Sequence, residues 1–196
     1  MPELAFDPTS DLTREVMSFE VEYEDVFQLQ NLYEHGLEWI QENEFSSTDV
    51  GDDEIETLYH HKVDDSGSVE HRIWWRATRP TDTSYFKYFL KVDFRTINLS
   101  TVQLSRDGEQ VKANKGDVII RVSSYLLLDA AGNWEGSTFG TWFHEYFRKR
   151  WYRDRINQEH ERLWNLTKDF QAALKNFLEL KHPQPRQEQF HPKYRA

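Results

Sequence analysis

From Thr141 to Leu180 the chain contains neither proline nor glycine. Forty such residues read as helix, and at 1.5 Å per residue they would span roughly 60 Å. A compact chain of 196 residues has a radius of gyration near 16 Å, hence a diameter of about 40 Å. The sequence therefore predicts a helix that is kinked, split in two, or projecting beyond the body. Its second half carries one apolar stripe, Ile156, Leu163, Thr167, Phe170, Leu174 and Phe177. His160 falls between Ile156 and Leu163 and is expected as a hydrogen-bonded core histidine. His182-Pro183 stops the helix. The tail at 182–196 holds three prolines and no apolar period, and is expected to be disordered.

Upstream, residues 1–14 read as a flexible arm, leaving 15–181 as a single domain. Phe19, Val21 and Tyr23 alternate with glutamates as in a strand with one buried face. Val26, Leu29, Leu32, Tyr33, Leu37 and Ile40 recur at three and four, predicting a helix over 25–43 with Asp25 as N-cap. Ser46–Asp53 reads as a polar, acidic loop. Strands are expected at Ile55–Lys62, His71–Thr78, Tyr85–Arg95 running on through Ile97–Leu104, Gln110–Ala113, and Val118–Leu128. Asp64-Asp65-Ser66-Gly67 and Arg106-Asp107-Gly108 supply turns. A linker from Asp129 to Gly140 leads into the long helix.

These elements give an α+β class: an antiparallel sheet of five to seven strands with an N-terminal helix and a long C-terminal helix. The order β-α-meander-α resembles the helix-grip layout of START-like ligand binders, in which a curved sheet wraps a C-terminal helix. The resemblance is one of element order alone. It implies a cavity for a small apolar ligand, with Trp134 and Trp142 flanking its mouth.

The absence of cysteine excludes disulfides, thiol nucleophiles and thiolate metal sites. No run approaches the 20 or so apolar residues of a bilayer span. The opening residues lack a basic stretch and an apolar core, so no secretory signal is predicted and the cytoplasm is the expected compartment. No GxSxG, phosphate-cradling glycine loop or dinucleotide fingerprint occurs, and no cofactor or metal is expected. His60 and His61 alternate across a strand, and His144-Glu145 lacks a second histidine one turn on. The expectation leans away from an enzyme.

Charge is the most uneven property. Residues 1–70 hold 20 acids against Arg14 and Lys62, a net −18, while residues 71–196 hold 14 acids against 22 bases, a net +8. Either the halves neutralise each other, or the second half meets something anionic. Strand alternation places Arg72, Trp74 and Arg76 on one face, Lys87, Phe89, Lys91 and Arg95 on another with Asp93, and Arg121 with Ser123 and Tyr125. Bases around a central aromatic suit a single-stranded nucleic-acid platform, and equally a solvated sheet face. Arg148, Lys149, Arg150, Trp151, Tyr152, Arg153 and Arg155 form the densest run, a collar around the helix rather than one stripe. From these residues the sequence predicts a binding protein for an anionic partner, nucleic acid first. The alternatives are a START-like carrier or sensor of an apolar ligand, and a homo-oligomer, a dimer through 141–155, built on the long helix.

Overall fold

The computed structural model describes residues 6–48, 55–65, 67–106, 109–132, 144, 146–148 and 150–180. Its elements are β1 (Thr13–Phe27), α1 (Leu29–Glu42), β2 (Ser46–Ser47), β3 (Glu56–Val63), β4 (Val69–Pro80), β5 (Phe86–Arg106), β6 (Glu109–Leu128) and α2 (Arg153–Leu180). The strands form one antiparallel sheet in the order β1-β6-β5-β4-β2, with β3 also paired to β4. This is the α+β class expected, with an N-terminal helix and a long C-terminal one. The tail at 182–196, Trp134, Trp142 and Lys149 lie outside the described residues.

The inner face of the sheet is set by strand parity. Ile73, Trp75 and Ala77 of β4, Phe86, Tyr88, Leu90, Val92 and Phe94 of β5, and Val118, Ile120 and Val122 of β6 are all buried. Against them α2 lays Ile156, Glu159, Leu163, Thr167, Phe170, Leu174 and Leu178, spaced by threes and fours. The buried ionisable member is Glu159, not His160, which is only half-buried. Phe177 is displaced from the stripe and stacks on His35 of α1 at 5.1 Å between ring centroids. Leu178 takes its place in the core.

The long helical stretch is split. Residues 144, 146–148 and 150 are helical, Trp151 and Tyr152 form a turn and bend, and α2 then runs 28 residues. At the break the N–H groups of Trp151 and Tyr152 both donate to Phe147 O, at 2.9 and 3.0 Å. Tyr152 anchors this corner by stacking on Phe147 and Phe86.

Three regions differ from the sequence reading. Strand β1 runs on to Phe27, because its ladder with β6 continues to Phe27↔Asn114. Val26 is therefore in a strand, and α1 starts at Leu29 rather than at 25. Asp25 does not cap it; Leu29 N–H donates to Asn114 Oδ1 at 3.2 Å. Ser46–Ser47, read as loop, is a short strand against Ala77 and Thr78. The expected pairs of strands at 85–104 and 110–128 are two long continuous strands. They cross an irregularity between Ile97 and Ser100, where Asn98 adopts φ 53°.

Gly116 sits opposite that irregularity with φ 154°. A Cβ there would lie 2.8 Å from Asn98 O and 2.9 Å from Ile97 O, both backbone atoms. Gly116→Ala is expected to lower unfolding free energy by about 2 kcal/mol. Urea denaturation checks it; an unchanged midpoint would show that the strands part without cost.

Candidate functional site: an arginine cleft beside a neutralised sheet face

The outer face of the sheet carries the predicted basic platform, and the register arranges it in cross-strand rows. One row reads Arg72–Arg95–Ile119–Glu22, the next Trp74–Asp93–Arg121–Glu20, the next Arg76–Lys91–Ser123–Ser18. Strand β1 thus lays Glu20 directly opposite Arg121 of β6. Glu70 Oε1 bridges Arg72 (3.1 Å) and Arg95 (3.2 Å). Asp93 takes Arg76 at 2.8 Å and Lys91 at 3.3 Å. Arg121 pairs with Glu20. The carboxyl of Glu70 is held below its ordinary range, first by the hydrogen bond from Arg72.

Two platform residues are not available to a partner at all. Arg76 is 6% exposed; its guanidinium donates to Trp75 O and Asp93 Oδ1, both at 2.8 Å, and lies over the Trp74 ring. Phe89 is 1% exposed because the N-terminal arm crosses this face. The Phe6 ring meets Phe89 edge-on at 4.7 Å and Tyr125 at 5.4 Å. The parity was legible; the cover was not, since it comes from a distant segment. From the arm, Phe6 packs on this face, and Leu12 O accepts from Leu128 N–H at 2.8 Å. Lys87 borders a separate cleft beside Phe6 and Phe89.

The collar behaves differently. Its members are divided by the break at Trp151–Tyr152, and Tyr152 is half-buried in the core. Arg155 is committed to Glu159 at 3.3 Å. Glu159 also accepts from Tyr88 OH (2.6 Å) and pairs with Arg162 (3.2 Å), so this buried carboxylate is fully engaged. Arg148 and Arg153 instead line a surface cleft of about 850 Å³ with Arg14 of β1. Its other wall is the arm, Pro8 to Asp11. Arg148 donates to the Asp11 backbone carbonyl, which fixes the guanidinium at the rim. Among the described residues that line the cleft, Asp11 is the sole acidic one beside three arginines, and neither Arg14 nor Arg153 has an acidic partner among the described residues. Arg14 was not among the sequence candidates. Its only sequence signal was being one of two bases in an acidic third.

Arg150 is exposed near the same end, and Trp151 is 75% exposed. Behind the cleft, Tyr85 OH and His144 Nε2 are 2.5 Å apart and largely shielded. Burial pushes the Tyr85 hydroxyl up to about 12, against the pull of Arg148 and Arg14. Among the described residues no group of three histidines or carboxylates could hold a metal ion, and no helix is long and apolar enough to cross a membrane.

Tyr85 ionises near pH 10 in the unfolded chain and near 12 in the fold, so the folded chain binds more protons between those values. Its contribution is complete below pH 10 and is lost as pH rises towards 12. Tyr85→Phe should therefore flatten the fall in stability over that window, measured by urea titration at fixed pH values. An identical slope in the variant would contradict the burial.

Compared with known protein families and with curated proteins, the chain matches none.

Proposed function

We propose that this chain is a non-enzymatic binding protein that engages an anionic, phosphate-bearing partner at the cleft of Arg14, Arg148 and Arg153, with nucleic acid the first class to test. The observation that supports the reading is the contrast in charge pairing. The outer-face bases Arg72, Arg76, Lys91, Arg95 and Arg121 already have carboxylates. The cleft instead gathers guanidinium groups around about 850 Å³ of open space. Guanidinium is the side chain best matched to phosphate oxygens, through paired N–H donors. Trp151, two residues before Arg153, offers an exposed ring on which a base can stack.

A fluorescein-labelled single-stranded oligonucleotide should bind with an affinity that falls with salt, at a log–log slope near −0.7 per phosphate contact. The triple variant Arg14→Glu, Arg148→Glu, Arg153→Glu should bind at least about tenfold more weakly, with the far-ultraviolet circular dichroism unchanged. Arg95→Gln on the outer face should leave affinity within about twofold, because its charge is already met by Glu70. No binding of single or double strands at about 50 mM salt, or equal binding by the triple variant, would overturn the reading.

Self-association through 141–155 is the second reading, and the exposure of Trp151 (75%) and Tyr146 (46%) favours it. Sedimentation velocity should then show a dimer that Trp151→Glu shifts to monomer. A wild type that stays monomeric at high concentration rules this out.

A further inference from the structure

A second cleft of about 570 Å³ opens where the first turns of α1 meet β3 and β4. Its chemistry is opposite to that of the arginine cleft. Tyr33 and Glu34 of α1, Glu56 and Tyr59 of β3, and His71 and Ile73 of β4 line it, and among the described residues no lysine or arginine does. The volume falls in the range of small-molecule sites, roughly 300–1,000 Å³.

Each lining group is set by its neighbours. Tyr33 lies edge-on to the buried Trp75, 4.9 Å between centroids, and its hydroxyl donates to Glu56 Oε2 at 3.0 Å. Glu34 Oε1 accepts from the Gln30 side-chain amide at 2.8 Å. Both donors are neutral, and neither carboxylate forms an ion pair with a base among the described residues. The protonated form of His71 is disfavoured. Burial, reinforced by repulsion from His61, holds its pKa below the ordinary value. Its ring is pinned by Thr96 Oγ1 at 3.1 Å from Nδ1, and the His71 backbone N–H donates to the same oxygen at 2.8 Å. Tyr59, 55% exposed, stands beside that ring at 5.9 Å. The cleft thus has aromatic walls, an apolar floor at Ile73, and two carboxylates that no lysine or arginine among the described residues meets.

We infer that this cleft binds a flat, cationic small molecule, a protonated aromatic amine or nitrogen heterocycle, whose ring lies against Tyr33 and Tyr59 and whose charge faces Glu34 and Glu56. Aromatic faces attract such cations, and a carboxylate pair fixes the orientation of the charged end. The inference is independent of the anionic partner, since the two clefts share no residue.

The test uses two fluorescent probes with the same ring system and opposite charge, 9-aminoacridine and acridine-9-carboxylate, titrated by anisotropy into nuclease-treated full-length protein. The cation should bind at least about thirtyfold more tightly than the anion. The pair Glu34→Gln and Glu56→Gln should weaken the cation about tenfold. Tyr59→Ala, which leaves the net charge unchanged and lies at an exposed position, should weaken it about fivefold. Equal affinity for the two probes, or no binding of either, overturns the inference. So does undiminished binding to Tyr59→Ala, because attraction to the net −10 chain as a whole would not depend on one ring.

Discussion

Ile156, Leu163, Phe170, Leu174 and Leu178 are withdrawn from water against a sheet face whose own residues are just as dry, and the rest of the molecule is arranged around that contact. Each such side chain contributes roughly 1.5–3 kcal/mol when fully buried. The contact also explains why an ionisable group lies in the stripe. At Glu159 the helix would otherwise present a bare carboxylate to the sheet. Tyr88 donates to it from the sheet, and Arg155 and Arg162 reach it from one helical turn before and one turn after. A buried charge held this way fixes the axial position of the helix, because sliding by one turn would strand the carboxylate beside an apolar strand.

The lopsided charge of the two halves is met largely within the chain. Pairing β1 to β6 sets Glu20 against Arg121, and the hairpin of β4 with β5 sets Glu70 and Asp93 among four bases. Exposed pairs of this kind add about 0–1 kcal/mol each. Their larger effect is on the surface: a face that looks basic along the sequence is close to neutral in space. Among the described residues, charge without an ion-pair partner gathers at the rims of the helix–sheet layer. Positive charge gathers where the arm meets the start of α2, and negative charge where α1 meets β3.

The parts legible in the sequence were those with a period. The alternation of Phe86, Tyr88, Leu90, Val92 and Phe94 identified the inner face, and the spacing from Ile156 to Leu174 identified the helix stripe. The excessive length of the 141–180 stretch called for a kink, a split or a projection, and the chain takes the split at Trp151–Tyr152. Local signals failed where a ladder outbid them. Asp25 has the chemistry of a cap, but the β1–β6 pairing holds it in a strand, and Asn114 from the far end of β6 supplies the cap. The candidate site was half legible for the same reason. Strand parity placed Arg72, Lys91, Arg95 and Arg121 together, whereas Phe89 vanished beneath Phe6, and Arg14 joined Arg148 and Arg153 only through the closed fold.

The break at Trp151–Tyr152 links the core to the arginine cleft. Tyr152 stacks on Phe86 at 5.7 Å and on Phe147 at 4.9 Å, and meets Tyr85 edge-on at 5.1 Å. A ring held on three sides dictates the direction of its neighbours. With Tyr152 turned into the core, Trp151 is directed to solvent, and the backbone redirects so that Arg153 begins α2 facing the arm. Arg148 precedes the corner and Arg153 follows it, so a continuous helix would have spread them over more than one turn. Bending the chain there brings both to one cleft with Arg14. The same aromatic packing that ends the first helical segment therefore builds the positive site and exposes the tryptophan beside it.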